Sequence, residues 1–400
     1  MTTTYDTIVI GLGAVGSACL YQLAKRGQRV LGIDRYAPPH GHGSSHGETR
    51  ITRRAIGEGE AYVPLVTRSH DIWREIESET GLDLLTQCGA LILSGRDNAA
   101  NHHGKGDFVR RTIAAAKRFD IPHEVLDAAA IGARFPQFGL TGQEIGYFEP
   151  GGGFVRPERC IEGQLRLARR KGAGMLLDTQ VVRFDPDGPG ATAVTTAAGD
   201  RLVARHVVMA AGPWLGGMVG AEIGRHLSVC RQVLHWFGAE DEAAYAPGRF
   251  PVFIWMHGDA PEDYLYGFPV CPGSTGVKVA TEQYSETTAD PGALRTAVPA
   301  EEPAAMFRDH VAGRLRGVRP GALRSSACMY TVTPDSGFVV DWLPGHARVL
   351  MASACSGHGF KHSAGLGEAM ARQIAGSDPV LPGFGADRLL TASLVSVHGC

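Results

Sequence analysis

The 400-residue chain has little of several things, and each shortage removes a class of function. Neither sign of charge is in excess: 39 Lys and Arg stand against 41 Asp and Glu, for a formal net charge of −2. A balance of this kind offers no basic surface for nucleic acid or an anionic membrane, so neither is expected as a partner. Long apolar runs are missing. The longest apolar-looking stretch, Val207 to Ala221, is interrupted by Gly212, Pro213, Gly216 and Gly217 and is too short to span a bilayer. The opening residues, Met-Thr-Thr-Thr-Tyr-Asp, carry neither the basic start nor the apolar core of a secretory signal. Cysteine is present but unorganised: positions 19, 88, 160, 230, 271, 328, 355 and 400 contain no CxxC spacing. That argues against a zinc site or a disulfide framework, so no metal is expected and a reducing cytoplasm is the expected location. Repeats and low-complexity tracts are absent as well.

Glycine is the one excess, at 53 residues. Without a repeat, it implies tight turns and close backbone approaches, as around a large cofactor. A hydrophobic content of 44% against 20% charged residues describes an ordinary globular chain, long enough for two domains.

Apolar spacing predicts a strand over 7–11, a helix over 14–26 and a strand over 28–34 that ends in an acid, which is a βαβ unit. Helices are predicted over 62–80, over 299–316, and from about Gly359 to Ile374, with a basic, solvated one over 108–119. Strands are predicted at 89–95, 202–212 and 349–352. Alternation over 230–285 indicates antiparallel strands. Val277 and Val279 would place Lys278 on the face away from the core.

The first unit carries the most specific motif. Gly11-Leu12-Gly13-Ala14-Val15-Gly16 follows a strand and opens a helix, so its glycines permit a tight turn, backbone approach to a pyrophosphate and close helix–strand packing. Asp34, twenty-three residues beyond Gly11, stands where a carboxylate accepts hydrogen bonds from an adenosine ribose, and it would repel a 2′-phosphate.

Three further segments narrow the reading. Residues 42–59 read His-Gly-Ser-Ser-His-Gly-Glu-Thr-Arg-Ile-Thr-Arg-Arg-Ala-Ile-Gly-Glu-Gly, 327–331 read Ala-Cys-Met-Tyr-Thr, and 356–361 read Ser-Gly-His-Gly-Phe-Lys. Together with the N-terminal motif they strongly resemble the monomeric sarcosine oxidase and N-methyltryptophan oxidase family, flavoenzymes of the glycine/D-amino-acid oxidase superfamily. The resemblance runs from about residue 5 to about 376. It implies a mixed α/β (α+β) fold in which a doubly wound, Rossmann-like FAD domain is interleaved with a substrate domain on an antiparallel sheet. The expected bounds are 1–82, 146–229 and 322–400 for FAD, and 83–145 and 230–321 for the substrate.

The resemblance also implies chemistry: oxidation of a secondary amino acid next to nitrogen by FAD, with O2 returning the flavin to its oxidised state as H2O2, in a monomeric enzyme. It places Gly11, Gly13, Ala14, Val15, Gly16, Asp34, Arg35, Ser44, Gly357 and Gly359 on the cofactor. Cys328 is matched to a flavin-linking cysteine, through the 8α-methyl. A thiolate is the right nucleophile there, if nearby cations lower its pKa. His46 and Arg50 are matched to residues beside the flavin ring, where a cation would stabilise the anionic reduced state. Arg53 and Lys361 are matched to the pair that holds the substrate carboxylate, with Arg54 the alternative inside the same segment. Two cations converging in a closed pocket are costly unless an anion neutralises them. Lys278 is matched to an oxygen-activating lysine, and Tyr266 and Tyr330 to active-site aromatics. His358 sits in the turn that opens the last helix, as a flavin-facing group or a structural cap. One departure stands out: four residues after the lysine the sarcosine oxidases carry a histidine, whereas this chain has Glu282, with Gln283 as the other counterpart. The alternative activities are a dehydrogenase with another acceptor and an oxidase of a cyclic amino acid such as pipecolate.

Overall fold

The computed structural model describes residues 4–95, 102–188, 190–260, 262–377 and 381–391, so Cys400 lies outside the described residues. The N-terminal apolar run forms the strand Thr4–Ile10, with Ile8 and Val9 fully buried. It pairs in parallel with Val30–Ile33 on one side and Arg201–Met209 on the other. Gly174–Leu176 extends the sheet past Val30–Ile33. His346–Ser353 joins Arg201–Met209 in parallel and carries Val339–Leu343 antiparallel. Helices cover one face: Ala14–Lys25 packs between Pro157–Arg170 and Ser363–Ile374, and Val63–Thr80 packs on both of those. Ile10, Leu31, Val207 and Met351 face the opposite way and pack with Leu215, Val219 and Ile223. Parallel strands buried on both faces explain why these segments read as continuous apolar runs.

A second sheet of nine strands runs in the order Thr287–Thr288, Ser228–Ala239, Val277–Ala280, Tyr264–Phe268, Val252–Met256, Ala90–Gly95, Glu144–Glu149 and Glu124–Asp127, with Val318–Val332 also paired to Ser228–Ala239. Its pairs are antiparallel except Val252–Met256 with Ala90–Gly95, which run parallel. Val277 and Val279 pack into an aromatic cluster with Phe237, Phe253 and Trp255. Lys278 lies on the other face, as alternation predicts, but that face is buried too.

Two helix expectations change. Over 299–316 the helix is only Glu301–Met306, followed by one wider turn at Phe307–Val311. Gly313 and Gly317, both at positive φ, then redirect the chain into the strand that begins at Val318. The helix Phe108–Arg118 is not wholly solvated: Phe108, Val109, Thr112, Ala115 and Ala116 are buried.

Close packing at the first turn is explicit. Gly11 has φ +85°, and a Cβ there would lie 2.5 Å from the Ala210 carbonyl oxygen. A Cβ on Gly16 would collide with the Gly11 carbonyl, whereas one on Gly13 would meet only Ser45 Oγ at 3.6 Å. Gly16→Ala is therefore expected to cost about 1–3 kcal/mol of stability, while Gly13→Ala leaves the fold nearly unchanged. Thermal denaturation of the two variants side by side checks this. Equal melting temperatures would contradict it.

Candidate active site

One cavity of about 510 Å³ runs from the glycine turn past the carboxyl ends of the parallel strands to the second sheet. Gly11, Gly13, Ala14, Val15, Asp34, Arg35 and Ser44 line one end, and Arg53, Glu58, His103, Glu282 and Lys361 the other.

At the first end, the N-cap residue Gly13 brings no side-chain cap to the helix Ala14–Lys25, and only Ala14 N is met, by Ser45 Oγ at 3.3 Å, so its amino end faces the cavity with further N–H groups to offer. Asp34 Oδ2 accepts from Leu12 N at 2.7 Å and Oδ1 from Tyr36 N at 2.9 Å, so the acid also braces the turn it serves. Arg35 lies over the rings of Tyr36 and Trp214. The first glycine turn, the amino end of the helix and the acid fit a dinucleotide with an unphosphorylated ribose.

Midway, the loop 44–50 is organised by Arg50, which donates to the carbonyls of Thr49 (2.9 Å), Ser44 (3.0 Å) and His46 (2.5 Å). His46 is not the cation of this loop. Burial, with Arg50 beside it, lowers its pKa to about 4, and its Nε2 is buried without a partner. Lys278 reaches the same loop, donating to the carbonyls of Gly47 (2.9 Å) and Thr49 (2.6 Å) with its ammonium 4.0 Å from the Phe268 ring centroid. Burial first, then Arg50, push that ammonium well below its ordinary pKa. Lys278 therefore stands behind the loop rather than in the open cavity.

Cys328 lies on the strand Val318–Val332, opposite Gln232 and on the same face as Tyr330 two residues later. It is 2% exposed and does not line the cavity. Burial raises its thiol pKa, against the pull of Arg50 and Lys278, so the expected lowering is opposed by desolvation. Tyr330 and Tyr266 do line the cavity, with hydroxyls 3.4 Å apart.

The second end is a buried ionic cluster. Arg53, 1% exposed, donates to Glu58 Oε2 at 3.0 Å and to the Ala55 carbonyl. Lys361 Nζ lies 3.5 Å from Glu58 Oε1 and donates to the His358 carbonyl at 2.9 Å. Burial opposes charge on Glu58, but Arg53 and then Lys361 hold its carboxyl well below the usual range. Burial lowers Lys361 to about 8 in spite of Glu58. Two cations and one internal anion leave a single positive charge, which one ligand carboxylate neutralises. Arg54 is not part of this cluster and does not line the cavity.

His358 is tied to the Ser336 carbonyl at 3.0 Å and stacked on Phe338, and burial lowers its pKa to about 3. It holds the turn as a neutral group. Gly357 is at φ +79°, and a Cβ on Gly359 would collide with the Ala354 carbonyl, so the turn closes tightly against the cavity. Glu282, not Gln283, faces the cavity. Gln283 is held by Gln232 and the backbone of Arg231. Glu58, His102, His103 and Tyr264 also line the cavity but had no assigned role. The adjacent pair His102-His103 in a glycine-bearing segment was the one available signal, and nothing near it indicated which surface it would meet.

A ligand carboxylate stays charged at neutral and alkaline pH, whereas Lys361 loses its proton as pH rises through about 8. Affinity for a simple monocarboxylate such as acetate is therefore expected to fall across that range, and Lys361→Met to flatten the fall. Calorimetric titration at several pH values measures both. A pH-independent affinity in the unmodified protein would contradict it.

Comparison with known proteins places the chain in a family. The family model described as FAD dependent oxidoreductase matches residues 6–373. Monomeric sarcosine oxidase of Streptomyces avermitilis is 35% identical over 374 residues, 93% of this chain and 94% of that one. N-methyl-L-tryptophan oxidase of Citrobacter koseri is 34% identical over 380 residues, 94% of this chain and 96% of that one. The solved structure of NikD, an unusual amino acid oxidase essential for nikkomycin biosynthesis, superposes with a TM-score of 0.79 at 23% identity, covering 97% of each chain. With these matches over nearly its whole length, the chain belongs to the FAD-dependent oxidoreductase family, in the group of the monomeric sarcosine and N-methyltryptophan oxidases.

Proposed function

We propose that this enzyme oxidises N-methyl and other secondary amino acids at the carbon next to nitrogen, with O2 as the electron acceptor. The observation that carries the proposal is the Arg53–Glu58–Lys361 cluster, a site of one net positive charge at the far end of a cavity that fits FAD. Bound FAD supplies the acceptor for a hydride and passes both electrons on to O2. For an N-methyl substrate the resulting imine hydrolyses to the amino acid and formaldehyde.

The chain's own residues bind, orient and exclude water. Arg53 and Lys361 hold the carboxylate, and Glu58 fixes the two donors before the substrate arrives. Tyr266 and Tyr330 form a wall against the reacting carbon, together with Gly357 in the turn. Arg50 is the cation of the loop beside the flavin ring, with neutral His46 next to it. Lys278 supports that loop from behind, and its ammonium would favour negative charge during oxygen reduction. Cys328 is the proposed covalent attachment through the 8α-methyl, which needs a local opening of its strand face or a thiolate stabilised by Arg50. The division of the chain at 83, 146, 230 and 322 is part of the same proposal, although residues 146–149, 228–229 and 322–332 pair within the second sheet. Strands Glu144–Glu149 and Val318–Val332 straddle those bounds. No described helix is long and apolar enough to cross a membrane. A reducing cytoplasm agrees with seven unpaired cysteines among the described residues, and a monomer with the name of the sarcosine oxidase relatives.

A screen for H2O2 release across sarcosine, N-methyltryptophan, other N-methyl amino acids, pipecolate and proline tests the activity. Turnover is expected with at least one secondary amino acid, and none with the corresponding esters, which lack the carboxylate. Denaturation tests the attachment: yellow colour should stay on the chain, and Cys328→Ser should release it. Lys278→Met is expected to slow reaction of the reduced enzyme with O2 roughly hundredfold, followed by stopped-flow absorbance. An unchanged rate would favour a dehydrogenase with another acceptor.

A further inference from the structure

The substrate end of the cavity holds a second ion pair that the carboxylate site does not use. His103 sits at the tip of a turn closed by reciprocal backbone hydrogen bonds between His102 and Lys105 (3.0 and 2.9 Å). Its φ is +50°, a conformation that a non-glycine residue holds only where surrounding structure enforces it. The ring is delivered into a buried space. Nε2 lies 3.1 Å from Glu282 Oε2, and Nδ1 lies 3.5 Å from Glu58 Oε1. Nε2 is hydrogen-bonded to Glu282, while Nδ1 makes no hydrogen bond and faces Glu58 at ion-pair distance; a neutral imidazole would turn a lone pair toward one of the two carboxylates, so the pair favours the doubly protonated ring. The pair also abuts the flavin-side turn: a Cβ on Gly357 would lie 2.8 Å from both Glu282 Oε1 and His103 Nε2, and 3.2 Å from Tyr330.

We propose that His103 determines specificity by charge: held between Glu58 and Glu282, it makes the cavity take amino acids as carboxylates with an uncharged amine and turn away those with a positive nitrogen. The proposal rests on the carboxylate site of the preceding reading and adds the state in which the amine enters. Arg53, Lys361 and His103 are positive and Glu58 and Glu282 negative, so the end carries one net positive charge. A carboxylate with a neutral amine closes that balance. An ammonium would restore the excess in a low-dielectric space, and it would be repelled by the imidazolium. Without His103 the remaining four groups sum to zero, and a zwitterion would fit as well as the anion.

Every element around the ring points the same way. From its own turn, His102 packs against it, the ring centroids 3.8 Å apart and the planes tilted by 39°, with a pKa driven down by burial and then by His103. Neutral His358 lies 5.1 Å away on the flavin-side turn. Glu282 also accepts from Tyr284 Oη at 2.9 Å, and burial notwithstanding, His103 holds its carboxyl down at about 2. Burial disfavours charge on His103, but Glu282 and Glu58 raise it to about 9. Glu58, His102 and His103 are also close enough to share a metal ion. Arg53 and Lys361 already flank Glu58, however, and a dication would add to their charge.

The test uses the FAD-loaded enzyme and two ligands of one shape, trimethylglycine with its fixed positive nitrogen and 3,3-dimethylbutanoate with carbon in its place. Each is titrated by the change in flavin absorbance. At neutral pH the enzyme should bind 3,3-dimethylbutanoate at least about tenfold more tightly. His103→Gln should erase most of that ratio, and His103→Lys, which keeps a cation, should retain it. A merely structural role would weaken both ligands together and leave the ratio alone. Loss of the Lys361 proton at about 8 also removes positive charge from this end, so the pH series is run beside His103→Gln, and only the part of the decline that this variant lacks is assigned to His103. In the unmodified enzyme, which needs no variant to fold, the ratio should decline as pH rises through about 9, where His103 loses its proton. A ratio of one at neutral pH, or one unaltered by both His103→Gln and pH, overturns the proposal. Failure of 3,3-dimethylbutanoate to bind at all overturns instead the carboxylate site beneath it.

Discussion

The bridge of Glu58 between Arg53 and Lys361 is the interaction on which this active site depends. Three charged groups are withdrawn from water at the junction of the two sheets, where a charge without a partner is costly. Arg53 and Lys361 come from segments more than three hundred residues apart, so Glu58 locks the loop after the first βαβ unit to the turn before the helix Ser363–Ile374. The lock leaves one charge unspent. That remaining charge, rather than the shape of the pocket, is the basis for proposing a carboxylate there.

The surrounding fold serves to hold that cluster beside the cofactor. The parallel sheet ends its strands at the cavity, where the amino end of the helix Ala14–Lys25 and Asp34 are proposed to receive the dinucleotide. The second sheet turns a buried face toward the same space, contributing Tyr266 and Tyr330 to the cavity and Lys278 to the loop behind it. Lys278 is the clearest consequence: it holds two carbonyls of the loop 44–50 with a buried ammonium, so one sheet fixes the loop that the other needs.

What could be seen in the amino-acid sequence followed the range over which each signal acts. Gly11 to Asp34 was legible because strand, turn, helix and acid are set by neighbours and by the steric demands of Gly11 and Gly16 themselves. Arg53, Lys361, Tyr266 and Tyr330 were legible through the family resemblance, and the structure brings all four to one cavity. Glu58 was not, although it lies five residues from Arg53, because its role exists only once Lys361 arrives. His103 was hidden for the same reason: no local pattern says that a turn at positive φ will insert its ring between Glu58 and Glu282. The shortened helix after Glu301 and the buried face of Phe108–Arg118 were decided by glycine conformation and tertiary cover, which periodicity does not report.

The central claim is that a single-charge carboxylate site faces a flavin able to take electrons from a secondary amine. Anaerobic mixing of the FAD-loaded enzyme with sarcosine, N-methyltryptophan and pipecolate in turn, followed by the visible flavin band, tests it most directly. At least one of these should bleach the band, and its methyl ester should leave it unchanged. If a chemical reductant bleaches the band but no secondary amino acid does, the account is contradicted.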